Sequence, residues 1–296
     1  MIDILIEKIK EKNNPTVAGL DPKLDFVPEF IKNEFSSTFE GAAGAIFEFN
    51  KMLIDQLCDV VAAVKPQSAY YEMYGPEGVK TLEKTIAYAK EKGMYVITDG
   101  KRNDIGTTAE AYSIAYLGET ALTDSQASAF GSDGLTVNGY LGTDGIKPFV
   151  KDDKSIFVLV KTSNPSSGEL QDLKLENGLK VYEQMAHNVN EWGKDVIGKY
   201  GYSNVGAVVG ATYPEQITEL RKIMPKAYFL VPGYGAQGGT AADVAKAFNA
   251  DGLGAVVNAS RSIMCAYKKA DCDEKDFALA AREEAIRMRD DINSAL

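Results

Sequence analysis

A short apolar run, rich in valine and ending in a polar or glycine-containing turn, recurs eight times along this chain. The runs are residues 16–21 (TVAGLD), 60–65 (VVAAVK), 94–99 (MYVITD), 134–138 (GLTVN), 156–162 (IFVLVKT), 205–212 (VGAVVGAT), 228–233 (YFLVPG) and 254–259 (GAVVNA). Each is too short for an ordinary helix. A near-continuous apolar run of this length reads as a strand of a parallel sheet, buried on both faces. Helical patterns lie between most of them. Val181, Met185, Val189, Trp192 and Val196 step by four, four, three and four, and predict one helix face. Residues 81–92 predict a helix closed by Gly93 as its C-cap, and residues 273–292 a terminal helix with Asp273 as N-cap. Strand and helix alternating eight times predicts an α/β protein of the (β/α)8 TIM-barrel class. At 296 residues the chain fits one such domain, residues 1–296, since these barrels run to about 250 residues or more. A doubly wound open sheet is the competing architecture. It favours a GxGxxG turn after the first strand, where this chain has Asp21-Pro22-Lys23.

Ile2, Leu5, Ile6 and Ile9 recur at helical spacing among Asp3, Glu7, Lys8 and Lys10. They predict an N-terminal helix with one buried stripe rather than a signal peptide. No stretch approaches the roughly 18 apolar residues of a membrane-spanning helix. The 42 acidic residues outnumber the 32 basic ones, a net charge of -10. That balance argues against nucleic-acid and anionic-membrane partners, while leaving room for a local basic pocket. Three cysteines, Cys58, Cys265 and Cys272, fit a reducing cytoplasm better than a disulfide framework, and no CxxC or Cys/His cluster suggests a metal site.

A barrel of this kind carries its site at the C-terminal ends of the strands. The unusual polar residues stand there. Residues 99–104, Asp-Gly-Lys-Arg-Asn-Asp, begin where the third run ends, and extended alternation puts Asp99 and Lys101 on one side. A lysine among carboxylates stays protonated, so Lys101 reads as a proton donor and a cation rather than a Schiff-base nucleophile. The same motif also fits a solvated charge cluster in a loop. Lys65 closes the second run and Asp21 the first, each fitting either a network at the barrel mouth or a rim cap and turn. After the seventh run come residues 232–239 (PGYGAQGG), and 258–261 (NASR) close the eighth. Loops in these positions form phosphate sites in many barrels, where Arg261 would be a planar charged fork; the same residues also fit a flexible loop beside a surface arginine. Thr162-Ser163-Asn164 fits a contact to a polar ring or an N-cap. The lone histidine, His187, lies opposite the buried stripe of its helix, so histidine-based acid/base chemistry lacks its key member.

Residues 99–108, DGKRNDIGTT, resemble the DxKxxDIxxT signature of the orotidine 5'-phosphate decarboxylases. GLDP at 19–22, VKP at 64–66, TSN at 162–164, PGYGAQGG at 232–239 and NASR at 258–261 agree in order. The likeness spans nearly the whole chain. With GATYPE at 210–215, it looks like the longer bacterial subfamily. The resemblance implies a cofactor-free enzyme that converts orotidine 5'-monophosphate to uridine 5'-monophosphate in pyrimidine synthesis. It implies that Lys101 protonates C6, that Asp99 lies beside the departing carboxyl group, and that Lys65 holds the ribose and completes the charged network. It implies that Asp104, with Thr108 near it, reaches into the partner's site of a homodimer. Asp21 corresponds to a ribose-hydroxyl contact, Ser163 to a pyrimidine contact, and Gln237 and Arg261 to phosphate ligands. The turn at Tyr234-Gly235-Ala236 departs from the compact subfamily's pattern. Two other activities stand beside this one. One is a magnesium-dependent sugar-phosphate decarboxylase or aldolase of related barrel type. The other is a non-catalytic barrel that binds phospho-ligands, which would need Arg261 but not Lys65, Asp99, Lys101 and Asp104 together.

Overall fold

A computed structural model describes residues 1–235 and 238–296. Eight parallel strands close into a barrel: β1 (Thr16–Leu20), β2 (Ala63–Pro66), β3 (Tyr95–Arg102), β4 (Gly134–Val137), β5 (Ser155–Lys161), β6 (Ser203–Val209), β7 (Ala227–Pro232) and β8 (Ala255–Ala259). Each strand pairs with its neighbours in sequence, and β8 returns to β1 through Ala18 opposite Ala259. All eight apolar runs are therefore strands. The second starts three residues later than the sequence suggests, because residues 58–60 form the turn that ends the preceding helix.

The main helices are α1 (Ile2–Lys12), α2 (Phe39–Leu57), α3 (Gly75–Glu91), α4 (Gly106–Leu117), α5 (Val181–Gly193), α6 (Pro214–Ile223), α7 (Ala241–Ala245) and α8 (Phe277–Asn293). Between β4 and β5 only short helical turns intervene. Gly93, at φ 76°, follows α3 in the left-handed conformation that stops a helix. Asp273 caps a single 3-10 turn through Lys275 N–H, and α8 begins after that turn. The buried stripe of α5 is Tyr182, Ala186, Val189 and Gly193, one step round from the expected face; Met185 and Trp192 pack at its margin, and Val196 lies beyond the helix. The large Tyr182 side chain takes the buried direction. His187 is exposed, as its position opposite the stripe requires.

Two cores result. One lies between the strands and the outer helices, with Phe49, Leu53, Ile86, Tyr182 and Phe277 fully covered. The other fills the barrel. There Ile2, Leu5, Ile6 and Ile9 of α1 pack against Tyr95, Phe157, Tyr228 and Val256. Burying each α1 side chain contributes roughly 2 kcal/mol relative to exposure. So α1 plugs the N-terminal end of the barrel, and any cavity must open at the other end.

Candidate active site

Inside the barrel the side chains of Ala63 on β2 and of Tyr95 and Ile97 on β3 belong to the interior core. Alternation continues that inward face to Lys65, the penultimate residue of β2, and to Asp99, which lies within β3 because that strand runs on to Arg102, three residues past the end of the apolar run. Both are buried, at 4% and 8% exposure. Lys65 Nζ donates to Asp99 Oδ2 at 2.8 Å and stands 4.0 Å from Asp21 Oδ1. Lys101 Nζ donates to the other oxygen, Asp99 Oδ1, at 2.6 Å, and Thr136 Oγ1 donates to that same oxygen at 2.7 Å. One carboxylate thus holds two ammonium groups.

Lys101 does not reach Asp99 by plain extended alternation. Its φ is 47°, in the left-handed region, and β3 carries extra residues there against β4, where Thr98 faces Leu135 but Arg102 faces Val137. Such a backbone costs about 1–3 kcal/mol for a residue with a Cβ. The Lys101 N–H is satisfied by Thr136 Oγ1 at 3.0 Å, and its ammonium by Asp99. The side chain remains nearly half exposed toward the cavity.

Charge sets the protonation states. Burial pushes the Asp99 carboxyl up, but the ammonium charges of Lys65 and Lys101 outweigh it and hold it well below the usual carboxylate range. Burial pulls Lys65 down, and the charges of Asp99 and Asp21 outweigh that, leaving it above its ordinary value. Both groups are fully charged at neutral pH.

These residues line a cavity of about 560 Å³ at the C-terminal mouth. Asp21, Lys65, Asp99, Lys101, Ser163 and Arg261 all contribute to its wall. Asp104 and Thr108 do not. Asp104 accepts from Ile105 N–H at 2.8 Å beside the start of α4, and Thr108 is exposed on that helix's first turn. Gln237 lies outside the described residues. Arg261 is exposed, just past the end of β8, and Gly233 and Tyr234 also belong to the wall. Gly19 on β1 is needed there: a Cβ would come within 2.8 Å of Ser260 Cβ.

Sequence reasoning gave three wall residues no role of their own. Thr136 is hidden within an apolar run, and only its contact with Asp99 across β3 and β4 reveals it. Asn258 is buried at 7%, and its Oδ1 has no hydrogen-bond partner among the described residues. Lys23 extends over the rings of Tyr70 and Phe26, 5.5 and 5.9 Å from their centres. With Lys23, the wall carries four cations, Lys23, Lys65, Lys101 and Arg261, against two carboxylates, Asp21 and Asp99. An acidic protein therefore encloses a cationic cavity. Asp21 Oδ1 also has no hydrogen-bond partner among the described residues, which leaves an acceptor for a ligand hydroxyl.

Comparison with known proteins adds a separate line of observation. Residues 45–272 match the family described as orotidine 5'-phosphate decarboxylase / HUMPS. The chain is 43% identical to an orotidine 5'-phosphate decarboxylase of Caldicellulosiruptor bescii over 99% of this chain and 98% of that one. It is 46% identical to the Rhodopirellula baltica protein of the same name, over 94% and 93%. Among solved structures it is similar to Leishmania donovani OMP decarboxylase, with a TM-score of 0.77 and 30% identity over 99% of this chain and 97% of that one. It is also similar to L. donovani UMP synthase, with a TM-score of 0.78 and 31% identity, covering all of this chain and 56% of the other.

Proposed function

This chain belongs to the orotidine 5'-phosphate decarboxylase / HUMPS family, and from that premise we propose how its cavity performs the decarboxylation. The reaction converts orotidine 5'-monophosphate to uridine 5'-monophosphate in pyrimidine biosynthesis. One observation carries the mechanism: Asp99 held between Lys65 at 2.8 Å and Lys101 at 2.6 Å, at the closed end of a cationic cavity. The cavity volume falls within the roughly 300–1,000 Å³ of small-molecule sites. Its excess positive charge suits a substrate carrying a phosphate and a carboxylate.

The bond from C6 to the carboxyl carbon breaks, carbon dioxide leaves, and the electron pair remains at C6. The Lys101 ammonium stabilises that charge and then gives a proton to C6, forming the C–H bond of the product. Solvent returns a proton to the lysine. Asp99 and Lys65 fix the ammonium beforehand, so little reorganisation occurs during the reaction. Asp21 accepts from a ribose hydroxyl, Ser163 meets the pyrimidine, and Arg261 with Gln237 holds the phosphate. Phosphate binding far from C6 closes and dries the site, energy that is expressed in the transition state.

Asp104 and Thr108 lie off the cavity of their own chain, which supports a homodimer in which each completes the partner's site. Three free thiols fit a cytoplasmic enzyme. The test of the reaction is the ultraviolet change of orotidine 5'-monophosphate with excess chelator present. Full turnover is expected; no turnover of this nucleotide with or without magnesium, beside magnesium-dependent turnover of a sugar phosphate, would point instead to the sugar-phosphate branch. The dimer is tested by mixing Asp104→Ala with Lys101→Ala protein. With free exchange, about a quarter of wild-type activity should return, because half the dimers are hybrids with one intact site. Exchange verified by a tagged pull-down with no recovery of activity overturns the shared site.

A further inference from the structure

Ser163 stands at the cavity wall, but what fixes it lies outside the cavity. Two consecutive residues at the end of β5 are tied to two consecutive residues of the loop that follows. Thr162 N–H donates to Gln171 Oε1 at 3.0 Å, and Gln171 Nε2 donates to Thr162 Oγ1 at 2.7 Å. Thr162 Oγ1 in turn donates to Asn164 Oδ1 at 2.6 Å, so Ser163 is bracketed on both sides. One residue earlier, Lys161 is only 1% exposed and donates to both oxygens of Asp172, at 2.9 and 3.0 Å. Its ammonium lies 5.5 Å from the Tyr182 ring and 5.1 Å from that of Tyr213. Burying an ammonium is costly unless it is paired, and here the carboxylate and two ring faces supply the pairing.

β6 holds the third side. Gly210 N–H donates to Lys161 O at 2.8 Å, and a Cβ at Gly210 would stand 2.9 Å from the Ser163 Cβ and N. The segment 161–163 therefore has no room to shift toward β6, and cannot move outward without breaking the Gln171 and Asp172 contacts. Lys161, Gln171 and Asp172 are all absent from the cavity wall.

We infer that Gln171, backed by the Lys161–Asp172 pair, is a positioning residue for recognition of the pyrimidine ring. It acts through Thr162 on Ser163, and the inference rests on the reading of Ser163 as the base contact. The brace has no route to the phosphate, so its loss is felt by ligands that carry the base and not by those that lack it.

The experiment compares inhibition by uridine 5'-monophosphate and by ribose 5-phosphate in wild type, Gln171→Leu, Gln171→Glu, Ser163→Ala and the Ser163→Ala/Gln171→Leu double variant. Gln171→Leu removes both hydrogen bonds to Thr162. It should weaken the nucleotide by about fivefold to tenfold and leave ribose 5-phosphate within about twofold. Gln171→Glu keeps the acceptor for Thr162 N–H and should recover part of the loss. On Ser163→Ala, Gln171→Leu should add less than about twofold, since two residues acting through one contact are not additive. Equal weakening of both ligands overturns the inference, as do losses that add in the double variant. A nucleotide affinity that falls in Ser163→Ala and not in Gln171→Leu overturns the brace alone. A Ser163→Ala protein with unchanged affinity for both ligands overturns the reading of Ser163 and the brace with it.

Discussion

The two ends of the barrel bury charge in opposite ways. At the N-terminal end Arg221 of α6 is 8% exposed and donates to four backbone carbonyls, those of Met224, Ala227, Ala247 and Gly254, between 2.7 and 2.9 Å. Its guanidinium lies 3.6 Å from the centre of the Phe229 ring. No carboxylate pairs with it among the described residues, and burial brings it down to about 10, still charged at neutral pH. Asp3 of α1 likewise accepts from Lys199 N–H at 2.9 Å. At the mouth, Lys65, Asp99 and Lys101 pair with one another, Asp21 and Asn258 each keep an oxygen with no hydrogen-bond partner among the described residues, and Lys101 sits on a strained backbone. A charge whose donors all end on backbone carbonyls is a fastener. Charges paired among themselves, with acceptors left facing a cavity, are available to a ligand.

The comparison predicts that variants at the two ends separate activity from stability. The largest effect belongs to Lys101→Ala. Turnover should fall by at least about a thousandfold, the combined loss of the proposed proton donor and a fixed cation, while the product nucleotide still binds. Turnover within tenfold of wild type would remove Lys101 from the chemistry. Next comes Arg261→Ala. Loss of the proposed charge-assisted phosphate contact should raise KM about tenfold to a hundredfold, with little effect on orotidine lacking the phosphate. An equal loss on both substrates would make Arg261 a structural residue like Arg221.

Arg221→Met should do the reverse. Four carbonyls lose their donor, so unfolding by denaturant should show a loss of roughly 3 kcal/mol, with kcat/KM of the folded enzyme unchanged. A catalytic defect without destabilisation would break the contrast between the ends. The smallest expected effect is on the pH profile. Asp99 is depressed, so its contribution to stability is complete above the ordinary carboxylate value of 3.8 and is lost as pH falls toward its lower native one. Lys65 is raised, so its contribution is complete below 10.5 and is lost only as pH rises through its higher native value. Neither group titrates near neutrality, and exposed His187 faces no part of the cavity. The kcat/KM profiles of wild type and His187→Ala should therefore superimpose between about pH 5 and 8, the histidine range. An inflection that disappears in the variant would bring histidine back into the mechanism.

Much of the mouth was legible before the fold was known. Asp21, Lys65, Asp99, Lys101, Ser163 and Arg261 each lie within the last four residues of a strand or just after it, and barrel closure brings strand ends together whatever the loops do. Thr136 was not legible, because a threonine inside an apolar run looks like any β-branched strand residue until its cross-strand neighbour is known. Arg221 was not legible either. On a helix of mixed charge it reads as solvent-facing, and its carbonyls come from the first residue of β7 and from the segments before β7 and β8.

Lys65 and Lys161 mark the line between the two kinds of information. Each follows a valine at the end of a buried run, and both are almost fully buried. The sequence alone determines that both positions lie within a residue of a strand end, because apolar run length and the turn that follows are local properties. Strict alternation would send both inward, since Ala63 precedes one and Phe157 and Leu159 the other on the interior face. On β5, however, the pairing with β6 slips between Leu159, opposite Val208, and Lys161, opposite Val209. The extra residue turns Lys161 outward to Asp172 and Tyr182, while Lys65 continues inward to Asp99. Direction at a strand end depends on register with the neighbouring strand. Register is set by closing the whole barrel, a constraint no local stretch of sequence contains.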